Sequence, residues 1–110
     1  MNQIERRTEG TRTATVTGNG PSSTVHMDGL AFGIMVVDAA MTSTIVKWLV
    51  SVDGVTFVTL QDGAGADIPT TIAAGKAVAL PTDLAGCKAF QVVPQTSEGA
   101  QRTLSFCFKT

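Results

Sequence analysis

What most constrains the fold of this chain is how often its sequence turns. Gly, Asn, Asp and Pro clusters recur roughly every 8 to 12 residues, the spacing of short strands in a sandwich or barrel. The runs between them are rich in valine and isoleucine, and sixteen threonines are spread along the chain with no long stretch of helix formers. Strands are expected over 11–17, 23–28, 31–37, 44–52, 55–60, 68–72, 76–80, 88–93 and 102–109, with loops at 18–22, 61–67, 81–86 and 94–101. One helical turn is allowed at 38–43. The expected architecture is all-β: an antiparallel two-sheet β-sandwich, jelly-roll-like, of about eight strands. With 110 residues the chain makes one domain, read as a polar N-terminal arm over 1–10 and a single sandwich over 11–110.

Two hairpins anchor that reading. Residues 44–52 and 55–60 flank Asp53-Gly54, which suits a two-residue type I′ turn because Asp and Gly tolerate positive φ. Such a turn sets Val52 opposite Val55, Val50 opposite Phe57 and Trp48 opposite Thr59. Val46, Trp48, Val50, Val52 and Phe57 then form a core face, joined by Leu104, Phe106 and Phe108 of the last strand. The other face pairs Leu49 with Val58, Lys47 with Leu60 and Ser51 with Thr56, and adds Ile45. A one-sided antiparallel sheet is ordinarily polar outside, so Ile45, Leu49, Val58 and Leu60 are expected to be covered by another segment or another subunit. Residues 68–72 and 76–80 flank Ala73-Ala74-Gly75 as a second hairpin.

The composition narrows function by exclusion. Charged residues are 15% of the chain against an apolar fraction of 44%, below the roughly one-quarter charge usual for soluble domains. A net charge of −1 offers no general attraction to nucleic acid or an anionic membrane. Arg6, Arg7 and Arg12 are the one basic cluster, interleaved with Glu5 and Glu9. The first dozen residues lack the apolar centre of a signal peptide, and the longest apolar stretch, 30–50, is broken by Asp38, Lys47 and Thr42-Ser43-Thr44. Synthesis in the cytoplasm follows, and in that reducing setting Cys87 and Cys107 are expected as free thiols. Their strands, 88–93 and the last, are read as neighbours, with Cys87 and Cys107 both turned away from the core.

Catalysis finds no footing. His26 is the sole histidine, on a strand whose Val25 and Met27 point the other way, and no G-x-S-x-G presents a nucleophile. Asp28, Asp53 and Asp62 each precede glycine and read as turn formers. The segment 62–67 lacks the alternating oxygen ligands and closing Glu of a calcium loop, and no phosphate-cradle motif follows it. The expectation is a protein that is not an enzyme, with no cofactor and no metal.

Two segments carry a resemblance. Val50-Ser51-Val52-Asp53-Gly54-Val55-Thr56-Phe57 resembles a V-S-x-D-G-x-x-F/W hairpin, and Ala73-Ala74-Gly75-Lys76-Ala77-Val78-Ala79-Leu80-Pro81 resembles an A-A-G-x-x-x-A-L-P strand. Together they look like small structural proteins of tailed-phage virions, over about residues 44–109. The resemblance implies a capsid decoration or cement protein, resident in the virion, bound to the major capsid protein or to copies of itself as a dimer or trimer. Arg6 and Arg7 of the arm join the four apolar residues above as candidate interface positions. The hairpin is also similar to discoidin-type sugar-binding sandwich modules, which implies a carbohydrate- or receptor-binding module of a tail or fibre as the alternative. Such modules show aromatic residues on their binding loops, and the loops 18–22, 61–67 and 94–101 carry none.

Overall fold

The computed structural model describes residues 9–27 and 32–109. Nine strands are present among the described residues: β1 (Glu9–Gly18), β2 (Val25–His26), β3 (Phe32–Val36), β4 (Ile45–Ser51), β5 (Val58–Thr59), β6 (Thr70–Thr71), β7 (Ala77–Ala79), β8 (Ala89–Pro94) and β9 (Glu98–Lys109). They form two antiparallel sheets, one ordered β1-β9-β3-β7 and one ordered β2-β8-β4-β5 with β6 also on β4. The all-β sandwich is as expected. Consecutive strands β1 to β4 alternate between the sheets, and the first and last strands pair along most of their length.

Period-two patterning builds the core. On β1 and β9 the even-numbered side chains turn inward, burying Ala14 and Val16 against Leu104, Phe106 and Phe108, and β4 contributes Val46 and Trp48. Phe90 of β8 links the two sheets. Its ring meets Trp48 edge-on at 5.5 Å in its own sheet and meets Phe106 and Phe108 edge-on at 5.4 and 6.1 Å across the core. Trp48 Nε1 donates to the Thr70 hydroxyl at 2.9 Å, so the buried indole is satisfied. Gly33 lies opposite Phe108 in the β3–β9 ladder, and a Cβ there would come within 2.5 Å of that ring.

Several expected details change. The first hairpin is not closed by a two-residue turn: Leu49 pairs with Thr59 and Val50 with Val58, one residue out of the expected register, and residues 52–57 form a loop. Val52 therefore leaves the core for solvent, and Phe57 is only half-buried. The second hairpin does not exist. β6 pairs with β4 and β7 with β3, so Ala73-Ala74-Gly75 is a crossover between sheets, with Gly75 at φ 74° and its N–H donated to Val37. β5 and β6 lie on the same edge of β4, as one edge strand broken by an excursion that the Gln61–Asp67 bridge closes. A 3-10 turn spans Thr82–Gly86, whereas 38–43 contains a simple turn. β8 and β9 lie in opposite sheets, not side by side; Cys107 does point outward, but Cys87 packs against the core, and both thiols are free.

The last strand starts earlier than its polar text suggests, because Glu98 is an anchor. Its buried carboxylate accepts from the N–H groups of Thr42 (3.0 Å) and Ser43 (2.8 Å), from the Ser43 hydroxyl (2.6 Å) and from Arg102 Nε (3.1 Å). Asp38 completes the clamp, accepting from the N–H groups of Ala40 and Thr103. The β3–β4 crossover is thus tied to β9 by two carboxylates. Burial alone would raise the Glu98 carboxyl, but these hydrogen bonds outweigh it and bring it down from 4.5 to about 2.

Two outcomes follow from this packing. Trp48→Ala is expected to cost roughly 3–5 kcal/mol, read from chemical denaturation, since it empties the side of the core that Phe90 leans on. Because the Glu98 carboxyl titrates lower folded than unfolded, its stabilisation is complete above about pH 4.5 and is lost as pH falls towards 2. A thermal-melt series should show that acid slope, about 3 kcal/mol in all, and Glu98→Gln should flatten it while lowering stability at neutral pH.

Candidate functional site

Two surfaces of the described residues stand out, one by its exposed valines and one by its lack of charge. The first is the loop 52–57 with the start of β5. Val52 is 84% exposed, Val55 81% and Val58 60%, so three branched apolar side chains stand in water at one end of the sandwich. The loop that carries them is built, not slack. Asp53 Oδ1 accepts from the Ser51 hydroxyl (2.9 Å) and from the N–H groups of Val55 (2.8 Å) and Thr56 (2.9 Å), and the Gly54 N–H donates to Ser51 Oγ at 2.8 Å. Gly54 takes φ 84°, which closes the bend. Ser51 is itself held where its carbonyl accepts the Lys88 N–H at 2.8 Å. The bonds from Thr56, Val55 and Ser51 draw the Asp53 carboxyl down to about 2. Rigid apolar groups on a fixed loop bind with little loss of conformational freedom.

The second surface is the outer face of the four-stranded sheet. Two rows of side chains cross all four strands: Thr11, Cys107, Ile34 and Ala79 in one, Thr13, Ser105, Val36 and Ala77 in the next. Thr15 and Thr103 extend them on β1 and β9. None of these ten is charged, and all but the half-buried Thr15 are exposed, with Ile34 and Val36 each at 45%. The outer face of the other sheet differs, since Lys47 stands in its middle, paired with Asp67 at 2.9 Å.

The sequence-derived interface residues do not gather on one face. Ile45 and Leu49 lie half-buried on the outer side of β4, beside Thr71 and Thr59 respectively. Val58 and Leu60 belong to the opposite parity because of the register change: Leu60 packs against the core, and its N–H donates to the Trp48 carbonyl. Val58 is left exposed beside the loop. Arg6 and Arg7 lie outside the described residues. What sequence reasoning missed was signalled by Ser51-x-Asp53-Gly54, a side-chain-capped bend, and by Thr11-x-Thr13-x-Thr15 opposite Thr103-x-Ser105-x-Cys107.

Asp62 and Asp67 hold local structure. Asp62 accepts the N–H groups of Ala64 and Ala66 within its own loop, Asp67 takes Lys47 and Gln61, and His26 is exposed between the buried Val25 and Met27. Among the described residues no group of three or more His, Cys, Asp or Glu side chains could hold a metal ion.

The described residues form an all-β sandwich with an exposed valine loop and an uncharged patch on one sheet. Comparison places the fold. By sequence, no family matches the chain, and no curated protein does. By structure, it is similar over the whole of both chains to the SPBc2 prophage-derived protein YomS, with a TM-score of 0.62 at 10% identity. A component of Bacillus endospore appendages, described as a novel family of disulfide-linked pili, aligns over 99% of this chain and 95% of its own at a TM-score of 0.41 and 7% identity, too low to support an argument. The YomS likeness establishes a shared fold and nothing finer.

Asp53→Ala should loosen the loop without unfolding the domain. Amide exchange of Val55 and Thr56 is expected to accelerate at least tenfold while the melting temperature shifts little, because the residue is at the surface. In the unaltered protein the same amides should stay protected at neutral pH and lose protection as pH falls below about 4 towards the value of about 2 at which Asp53 titrates.

Proposed function

We propose that this chain is a structural protein of a phage particle, made in the host cytoplasm and held on the capsid as a decoration protein by protein–protein contacts. The observation that carries the reading is the valine loop. Val52, Val55 and Val58 stand in solvent on a bend fixed by Asp53, and an interface core is made of such uncharged, pre-ordered apolar groups. The major capsid protein is the partner proposed for it, and the contact needs no catalysis and no cofactor.

The fold supports the same reading. Facing sheets ordered β1-β9-β3-β7 and β2-β8-β4-β5 support a jelly-roll reading, an architecture used in viral capsids and in lectins. The fold is shared with a prophage-derived protein. Sugar binding, the other use of that architecture, relies on exposed aromatic platforms. Among the described residues Trp48, Phe90, Phe106 and Phe108 are instead buried and Phe57 is half-buried, which makes a carbohydrate- or receptor-binding module the second reading.

The test is particle binding by the double variant Val52→Ser/Val55→Ser. Burying one valine is worth about 1.5–3 kcal/mol, so each substitution is expected to weaken binding about tenfold or more. The melting temperature should stay within a few degrees, as neither side chain packs in the core. Full binding by the folded double variant would overturn the reading.

A further inference from the structure

We propose that two copies of this chain pair face to face through the outer face of the four-stranded sheet, about a two-fold axis centred between β9 and β3. This pairing uses a different surface from the valine loop and does not rest on the capsid reading. A face that carries no charge at ten consecutive grid positions offers nothing for a charged partner to select, and it covers another uncharged face without stranding an ion. A symmetric dimer needs one patch that complements itself, and this patch is small-featured. Its side chains are threonine, serine, alanine and cysteine around Ile34 and Val36. Small side chains let two sheets close to the usual separation of about 10 Å.

Size points the same way. At about 50 Å² of accessible surface per position, the ten positions amount to roughly 500 Å² per copy, so pairing buries on the order of 1,000 Å², the lower end for a specific contact. Rotation about the central axis sets Ile34 of one copy over Cys107 of the other and Val36 over Ser105. Branched apolar groups thereby meet small ones, and each Cys107 thiol is covered. Left open, a face with Ile34 and Val36 each 45% exposed is a liability for uncontrolled sheet stacking.

Light scattering and sedimentation of the purified chain, with Val36→Lys and Ser105→Lys made separately, test the proposal. The unaltered chain is expected to reach the mass of a dimer at high concentration, and either lysine should return it to a monomer with an unchanged melting temperature. The two variants lie on different strands, so misfolding of one leaves the other as the probe. Alkylation of Cys107 by iodoacetamide should slow at least fivefold as the dimer forms. Val52→Ser/Val55→Ser should remain dimeric, which separates this contact from the valine loop. A chain that stays monomeric at every concentration, a dimer that survives both lysines, or a Cys107 equally reactive throughout would overturn it.

Discussion

Phe90 sets the geometry on which the rest of this sandwich depends. One ring on β8 makes edge-on contacts with Trp48 beside it and with Phe106 and Phe108 in the facing sheet. The two sheets are therefore locked in one relative position by a few aromatic quadrupole contacts worth about 0.5–1.5 kcal/mol each beyond their burial. Every other large group accommodates that cluster. Gly33 is glycine because Phe108 lies where a side chain would go, and Thr70 supplies the hydroxyl that lets an indole N–H be buried. Trp48, Phe90, Phe106 and Phe108 are all spent inside, and among the described residues the exposed large apolar side chains are valine and isoleucine.

A second constraint explains where the rigid parts of the surface are. Four carboxylates, Glu98, Asp38, Asp53 and Asp62, each capture two backbone N–H groups. They do for irregular backbone what strand ladders do elsewhere, satisfying donors that would otherwise need water. Glu98 and Asp38 fix a crossover to the last strand, whereas Asp53 fixes the loop that carries the exposed valines. A chain with only nine acidic residues uses four of them as backbone anchors, which helps explain why so few charges are left to mark its faces.

Much of this was legible in the sequence. Alternation along 44–51 and 102–108 correctly placed Val46, Trp48, Leu104, Phe106 and Phe108 inside, because period two follows from strand geometry alone. Two of the failures share a cause, the competition of side chains for backbone groups. Asp53-Gly54 looks like a two-residue turn until the Asp53 carboxylate takes the N–H groups of Val55 and Thr56, which lengthens the loop, moves the register by one and divides Ile45, Leu49, Val58 and Leu60 between opposite faces. Glu98 reads as part of a polar loop because its partners, Thr42 and Ser43, are more than fifty residues away. Ala73-Ala74-Gly75 bends the chain as expected, but nothing local says whether the next strand returns to the same sheet. The uncharged outer face was present as alternating threonines and lacked only the pairing that puts them in rows.

The most direct measurement of the proposed role is the protein's stoichiometry in the particle. Particles purified from a phage or prophage that encodes the chain can be quantified by mass spectrometry against the major capsid protein. A decoration protein is expected at hundreds of copies per particle, in fixed ratio to the capsid subunit. Its absence from purified particles, or its presence at only a handful of copies, would contradict a place on the capsid surface.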